Sequence, residues 1–234
     1  MQNTRLNFII LLVLFLVIGS HPVLGQDQSQ AVQGGGIFAE GWMGQVDPGE
    51  AANGQTVDGA KLMMMDDMIH VTTGPSISYW KEGNTASGNY TVSATFTEPK
   101  FMNLSGHPHP YGLFIGGNNL GTDGASLLYC ATYGNGAFIV RGFGPEPFQM
   151  NGRRAEQNDA IHKAAGNGES VTQEVAISVM GDKVECSVNG TVVGSYAKSD
   201  VVGEGKLKST DGVYGIRVGH NVEAMASGLK MTSH

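Results

Sequence analysis

The sequence lacks the features that identify several large classes of protein. It contains only two cysteines and 15% charged residues, and no apolar run after residue 25 is long enough to span a membrane. Basic residues are scarce: after residue 25 there are 13 Lys and Arg against 21 Asp and Glu, a net charge of about −8. Nucleic acids and anionic membrane surfaces select for a basic face, so we expect neither as a partner.

The first 25 residues have the pattern of a signal peptide. A polar start with Arg5 is followed by the apolar run 8–18, then by the helix breakers Gly19 and Pro22, and finally by Gly25. We expect cleavage before Gln26 and therefore a secreted or periplasmic protein. An uncleaved N-terminal anchor is the alternative.

The remaining 209 residues predict one all-β domain. Residues 26–35 are expected to be a flexible mature N-terminus, and residues 36–234 a single β-sandwich. Apolar and polar residues alternate over 90–97, which is typical of a half-buried antiparallel strand. Asn189-Gly190 predicts a hairpin with a type I′ turn, because both residues tolerate positive φ. Residues 144–170 interrupt the strands, and we expect one short helix within 154–165.

The two cysteines allow a disulfide or two separate thiols. Alternation in the 183–188 strand directs Cys186 to the core. A two-residue turn at Asn135-Gly136 would place Cys130 opposite Arg141, on the face away from Tyr133. In that register the cysteines cannot easily meet, so separate thiols are preferred and a Cys130–Cys186 disulfide is the alternative.

The order of the last strands carries a resemblance to a known family. The hairpin at Val188-Asn-Gly190, the strand Gly212-Val-Tyr-Gly-Ile216 and the final Ser227–Met231 resemble the C-terminal half of concanavalin-A-like lectin and glucanase sandwiches. The 171–231 region is most similar to the secreted 3-keto-disaccharide hydrolase family. The resemblance implies a two-sheet antiparallel jelly roll with a concave face used for carbohydrate.

The catalytic pattern of retaining glucanases with this fold is absent. They carry Glu-x-Asp-x-x-Glu on one strand, which brings alternate carboxylates together on one face. The sequence contains no such spacing. The isolated acids are expected to be surface charges; they are Glu98, Asp123, Glu146, Glu174 and Glu185. We therefore favour a protein without catalytic activity.

Candidate ligand-binding residues combine aromatic rings with planar hydrogen-bonding groups, because sugar rings stack on the former and sugar hydroxyls pair with the latter. The set is Trp80, Tyr111, Asn118, Asn119, Tyr133, Arg141 and Arg217. Arg141 is the strongest candidate because it interrupts an apolar strand. In the expected register it lies with Thr132 on the outer face, opposite Tyr133, and either binds a ligand or pairs with a neighbouring acid.

Two loops suggest other chemistry. His107-Pro-His109-Pro favours an extended loop with two imidazoles, which would serve acid–base chemistry in an enzyme, or a metal with one more ligand from His70, Asp123 or His220. The loop with Asn118, Asn119 and Asp123 offers oxygen ligands for Ca²⁺, although its Asn and Gly residues also serve as turn formers.

Together these observations predict a carbohydrate-binding or cell-surface interaction module that recognises a glycan or a cell-surface polysaccharide. One alternative is a glycoside hydrolase or lyase acting on modified sugars, using His107 and His109. A second is a structural surface or matrix protein that assembles through exposed sheet edges.

Overall fold

The computed structural model describes residues 28–102 and 107–234, so the predicted signal peptide lies outside the described residues. Two short helices, α1 (Pro48–Ala51) and α2 (Lys198–Val201), and a 3₁₀ turn (Val57–Gly59) accompany the strands. The sixteen strands in this part of the chain are β1 (Gly36–Phe38), β2 (Trp42–Val46), β3 (Lys61–Met65), β4 (Met68–Thr72), β5 (Ile77–Ala86), β6 (Tyr90–Glu98), β7 (Tyr111–Asn118), β8 (Ser126–Thr132), β9 (Ala137–Phe143), β10 (Pro147–Gln149), β11 (Glu156–Gln157), β12 (Val171–Met180), β13 (Lys183–Val188), β14 (Thr191–Ala197), β15 (Gly212–Val218) and β16 (Glu223–Ser233).

The strands form two sheets, as predicted for a jelly-roll sandwich. Sheet I has the order β1-β3-β4-β16-β6-β12-β13-β14, and sheet II has the order β10-β9-β8-β7-β15-β5-β2, with β11 paired to β9. Pairing is antiparallel except between β1 and β3. Consecutive strands often belong to different sheets, so the two sheets fold around one shared core. No helix among the described residues is long and apolar enough to cross a membrane.

Alternation along the strands of sheet I builds its half of the core. In β6 and in most of β12 every second residue is buried, and Val92 of β6 lies beside Ile177 of β12. The inward side chains of sheet II that meet them include Leu113 of β7 and Ile216 of β15, both with 0% of their surface exposed. The half-buried antiparallel strand predicted over 90–97 is confirmed.

The Asn189-Gly190 hairpin is also confirmed. Both turn residues have positive φ, 49° and 79°, as a type I′ turn requires. The Asn189 side chain strengthens the turn: its Oδ1 accepts a hydrogen bond from the backbone N–H of Glu174, and its Nδ2 donates to the carbonyl of Ala160, both at 2.8 Å. This turn therefore fixes β13 and β14 and ties them to the preceding strand and loop.

The loop of the hairpin between β8 and β9 is one residue longer than predicted. The Tyr133 N–H bonds the carbonyl of Ala137 at 2.9 Å, which closes a three-residue loop, Gly134–Gly136. Gly136 has φ +87°, whereas Asn135 does not have positive φ, so the turn is not type I′. A shift of one residue moves side chains to the opposite face of a strand. Thr132 consequently points into the core, and Arg141 shares the outer face with Tyr133.

The same shift explains the disulfide. Cys130 of β8 and Cys186 of β13 are bonded, with Cα atoms 6.1 Å apart, so the preferred prediction of separate thiols is wrong. Cys130 pairs with Val140, and Tyr129 rather than Cys130 pairs with Arg141. Cys130 therefore faces inward with 0% exposure and reaches the opposite sheet. Cys186 occupies the core position predicted for it.

The helix predicted within 154–165 does not form. Glu156–Gln157 is instead the short strand β11, paired to β9. The following backbone groups bond to distant partners: the N–H of His162 donates to Oε1 of Gln173 at 3.0 Å, and the N–H of Ala164 to the carbonyl of Gly134 at 2.8 Å. Tertiary hydrogen bonds have replaced the local bonds of a helix.

Two N-terminal segments of the described chain join the sandwich. The chain over 36–46 divides at the turn 39–41 into β1 in sheet I and β2 in sheet II. The described part of the N-terminal segment, 28–35, has no regular strand or helix, but it is bonded to the sandwich. The N–H of Gln30 donates to Oδ1 of Asn221 at 2.8 Å, and the N–H of Val32 donates to the carbonyl of Gly59 at 2.9 Å.

Candidate ligand-binding cleft

The outer face of sheet II carries a second apolar cluster, separate from the main core. The central strands β7 and β8 are buried almost throughout, on both faces. The outer cluster forms what we call the apolar floor: Trp80, Phe114, Leu127, Tyr129, Ala131 and Ile139. Tyr133, Phe143 and Ala155 pack against its edges. The outer face of a sandwich is usually solvated, so a covered apolar cluster there makes this side of the molecule a candidate for ligand binding.

A cleft of about 700 Å³ lies against this floor. Its walls come from the end of β2, the 107–110 loop, the β8–β9 hairpin, the 153–155 segment and the β15–β16 turn. The lining residues are Asp47, Ser76, His107, Pro108, His109, Pro110, Tyr129, Tyr133, Asn135, Ile139, Arg141, Arg153, Arg154, Ala155, Arg217, Gly219 and His220. The size is suitable for a small ligand or part of an oligomeric one.

The cleft collects all the arginines that follow Arg5 in the sequence. They are Arg141, Arg153, Arg154 and Arg217. Asp47 is the single carboxylate among the described residues that line the cleft. The whole chain has a formal charge of −7, so a strongly basic cleft lies within an acidic protein.

Arg217 is the buried anchor of the cleft. It projects from β15 between Ser78 of β5 and Gly112 of β7, where Gly112 presents no side chain. Its Nη1 donates to the carbonyls of Ile77 at 3.1 Å and Val218 at 2.7 Å, and its Nη2 donates to Oδ2 of Asp47 at 2.5 Å. Only 6% of the side chain is exposed. These bonds fix the position of the guanidinium.

The same guanidinium lies over an aromatic ring of the floor. Its Cζ is 5.2 Å from the ring centre of Tyr129, which is a cation–π distance. Burial raises the pKa of Tyr129, and the positive charges of Arg217 and Arg141 oppose that rise. The Tyr129 hydroxyl therefore stays neutral at physiological pH.

The carboxyl group of Asp47 is held in a low-dielectric position. Burial raises its pKa to about 6, the positive charge of Arg217 opposes the rise, and the negative charge of Glu50 adds to it. The carboxylate is thus ionised at neutral pH and neutralises Arg217 there. At pH below about 6 it takes up a proton, and the positive charge of the cleft increases.

Arg141 is oriented by a single bond. Its Nη2 donates to the carbonyl of Arg153 at 2.8 Å, and its buried Nε has no hydrogen-bond partner in the structure. It makes no ion pair with a carboxylate of the described chain, so the neighbouring-acid alternative does not hold. Burial raises the pKa of the adjacent Tyr133 to about 12, against the opposing charge of Arg141. Arg141 and Tyr133 therefore place a guanidinium and a neutral phenol side by side.

Three histidines form one end of the cleft. The rings of His109 and His220 are in contact, with centres 4.0 Å apart, whereas His107 is exposed. The His220 Nδ1 lies 4.0 Å from Oε1 of Glu50, and that oxygen accepts a bond from the backbone N–H of Ser76 at 2.9 Å. The structure thus brings the predicted histidine loop to the same cleft as Arg141 and Arg217.

Other predicted ligand residues lie elsewhere or play a structural part. Trp80 belongs to the apolar floor, with 4% exposed. Tyr111 points into the main core with 0% exposed, so it does not face the cleft. Of the predicted binding residues, Tyr133, Arg141 and Arg217 line the cleft together.

The loop considered for Ca²⁺ lies at the other end of β7. The amide of Asn118 donates to the carbonyls of Gly116 at 3.0 Å and Asp211 at 3.1 Å, and Asn119 adopts φ +52° in the turn. Asp123 lines a different cleft, of about 710 Å³, beside Gln45. No group of three or more His, Cys, Asp or Glu side chains suited to a metal occurs within 28–102 and 107–234.

Sequence reasoning misplaced Glu98. It was expected at the surface, but it is 1% exposed, and burial raises its pKa to about 7. Its Oε1 accepts a bond from the N–H of Met102 at 3.3 Å, and its carboxyl group packs beside Gly134 of the β8–β9 hairpin. The signal was available, because Glu98 continues the inward alternation of β6 after Phe96.

Reasoning from the sequence also missed Asp47, Arg153 and Arg154 as cleft residues, whereas it named His220 only as a possible metal ligand beside the histidine loop. All four lie in turns or irregular segments, where no periodicity links them to a sheet face. The adjacent Arg153-Arg154 pair was the visible signal, but its placement depends on the 144–170 segment folding back over β9.

Comparison with known proteins defines the fold class. No protein-family model matches the chain, and no curated protein matches its sequence. Similar solved structures include a carbohydrate-binding module from Bacillus subtilis (9% identity, TM-score 0.52, covering 85% of this chain and 99% of that one). A Bacillus subtilis protein of unknown function with a galectin-like fold has 11% identity and a TM-score of 0.53, over 82% and 89% of the two chains.

An endo-β-1,3-glucanase from Pyrococcus furiosus is also similar, with 14% identity and a TM-score of 0.52 over 82% of this chain and 88% of that one. At such identities the likeness concerns the fold alone: this chain shares the two-sheet β-sandwich fold of these proteins. The finer resemblance to the 3-keto-disaccharide hydrolase family is not confirmed and stays a prediction.

Proposed function

We propose that this protein is an exported carbohydrate-binding module that binds a glycan in the arginine-lined cleft of sheet II. The observation that carries the proposal is the convergence of Arg141, Arg217 and Tyr133 on one cleft. Guanidinium groups form several directed hydrogen bonds, and a phenol ring offers a face for a sugar ring. The fold shared with a carbohydrate-binding module supports the class of ligand by analogy.

The division of roles within the cleft supports binding by preorganised groups. Arg217 is fixed by Asp47 and two carbonyls, so it has little freedom to lose when a ligand arrives. Arg141 keeps donors available beyond its bond to Arg153. It is therefore the residue whose removal should affect binding most and folding least.

The test is Arg141→Ala, screened on a glycan array and followed by thermal melting. We expect loss of glycan binding by tenfold or more. The melting temperature should stay close to that of the unchanged protein, because within the described residues the side chain makes one hydrogen bond and no ion pair. Lys183→Ala, an exposed cation on the outer face of sheet I, is the matched control. Unchanged binding by Arg141→Ala would contradict the proposed site.

A second candidate is a hydrolase or lyase acting on modified sugars. The specific observation in its favour is that His107, His109 and His220 line the same cleft, where imidazoles could transfer protons. Incubation of the protein with a glycan that it binds, followed by assay for new chain ends, tests this candidate. Turnover that is lost in His107→Ala would support the enzyme, and binding without turnover supports the module.

A structural surface or matrix protein remains the third candidate. Size-exclusion chromatography of the glycan-free protein distinguishes it, because polymers formed without ligand would favour assembly over glycan recognition.

A further inference from the structure

The cleft has a marked imbalance between hydrogen-bond donors and acceptors. Guanidinium groups only donate, and four arginines line the cleft. The one carboxylate there, Asp47, is already bonded to Arg217. Neutral sugars present hydroxyls that donate as well as accept, so a site for them needs free acceptors. A ligand that carries carboxylate or sulfate groups, which present only acceptor oxygens, makes fuller use of these donors.

Most of the arginines in the cleft also have no carboxylate partner among the described residues. Arg217 is paired with Asp47, but Arg141, Arg153 and Arg154 make no ion pair with any carboxylate of the described residues. The chain as a whole has a net charge of −7. An acidic protein with three arginines in one cleft that have no carboxylate partner within 28–102 and 107–234 attracts anions there and repels them elsewhere.

The arginines are arranged so that one orients another. The carbonyl of Arg153 accepts from Nη2 of Arg141 at 2.8 Å, which brings the 153–154 segment against β9. Arg141, Arg153 and Arg154 all line the same cleft. Planar forks of this kind bind carboxylates and sulfates through paired hydrogen bonds.

We propose that the ligand of this cleft is an anionic glycan, whose uronate carboxylates or sulfate esters are bound by Arg141, Arg153 and Arg154. This inference rests on the proposed carbohydrate-binding function and specifies its ligand class. Arg217 serves as a positioning residue: it is held by Asp47, and it orients Tyr129 beneath the cleft rather than supplying the free charge.

The test compares probes that differ only in charge. Calorimetric titration with oligogalacturonate and with its fully methyl-esterified form measures the carboxylate contribution, and sulfated against unsulfated dextran oligomers measures that of sulfate. We expect one charged probe to bind at least about tenfold more tightly than its neutral partner, with affinity that falls as salt is added. Whichever pair shows the difference identifies the anionic group.

Arg153→Gln with Arg154→Gln should remove most of this preference, while the melting temperature changes little, because both residues are exposed and neither pairs with a carboxylate of the described residues. Lys183→Gln is the matched control, and it should keep the preference. Equal affinity for charged and neutral probes would overturn the anionic ligand and leave the carbohydrate-binding function standing. Binding of no glycan, charged or neutral, would overturn both. Equally tight binding of a single-stranded oligonucleotide would show a general polyanion site and would also overturn the inference.

Discussion

The outer faces of the two sheets differ although the sheets share one core. On sheet I the outward residues of β6 are Thr91, Ser93, Thr95 and Thr97, and β12 and β13 present further polar and charged groups. On sheet II the outward residues form the apolar floor with Arg217 above it. Sheet I has the solvated outer face that is usual for a sandwich. The outer face of sheet II instead carries buried apolar groups and a buried arginine, which under the proposal above form the floor of the ligand site.

The largest effect should follow from removing the anchor of the sheet II face. Arg217→Met leaves the Asp47 carboxylate and the carbonyls of Ile77 and Val218 without their donor, and should lower the free energy of unfolding by about 3–5 kcal/mol. Urea denaturation measures it. Arg217→Met with Asp47→Asn should recover part of the loss. A loss below about 1 kcal/mol would mean that this face contributes as little to stability as that of sheet I.

A loss of similar size should follow when the covalent link between the two sheets is removed. Cys130→Ser with Cys186→Ser opens a bridge that spans 56 residues of sequence, and should destabilise the fold by about 4 kcal/mol. The unchanged protein measured in reductant is the control and should lose a similar amount. Two titratable thiols per chain in denaturant, without reductant, would show that the disulfide does not form.

Glu98 should make stability depend on pH. Its pKa is about 7 in the folded protein and near 4.5 when unfolded, so the folded state holds the proton more tightly between these values. Its contribution is complete below pH 4.5 and is lost as the pH rises to 7, by about 3 kcal/mol. Burial of the Asp47 carboxyl group also makes the folded state less stable as the pH rises, up to about pH 6.

Glu98→Gln should flatten this dependence of stability on pH. The variant and the unchanged protein should differ little in stability at pH 4, and at pH 8 the variant should be the more stable of the two. Chemical denaturation at the two pH values measures the difference. Equal slopes for both proteins would show that Glu98 ionises as a solvated carboxyl group does. Because Glu98 extends from sheet I towards the β8–β9 hairpin of sheet II, the result also tests how the two sheets meet.

The smallest effect should come from the outer face of sheet I. Lys183→Gln on β13 should change the free energy of unfolding by less than about 0.5 kcal/mol and leave glycan binding unchanged. A clear loss of binding would move the ligand site to sheet I and reverse the comparison between the two faces.

The predictions from the sequence were correct where the structure depends on neighbouring residues, and wrong where it depends on distant ones. The strand over 90–97 and the Asn189-Gly190 turn were predicted correctly, since both follow from short-range alternation and from tolerance of positive φ. The helix predicted within 154–165 was wrong, because the N–H groups of His162 and Ala164 bond to Gln173 and Gly134 instead of to carbonyls one helical turn earlier. Glu98 could have been placed correctly by extending the alternation of β6 by one step.

The sequence by itself determined that this protein is an all-β sandwich, because alternation and turn chemistry act between neighbouring residues. Only the tertiary structure decided that Cys130 meets Cys186, and that Arg141, Arg153, Arg154 and Arg217 share one cleft. These outcomes depend on strand register and on segments far apart in the chain. One additional loop residue in the β8–β9 hairpin exchanges the inner and outer faces, and no local pattern specifies which long segment folds over a sheet.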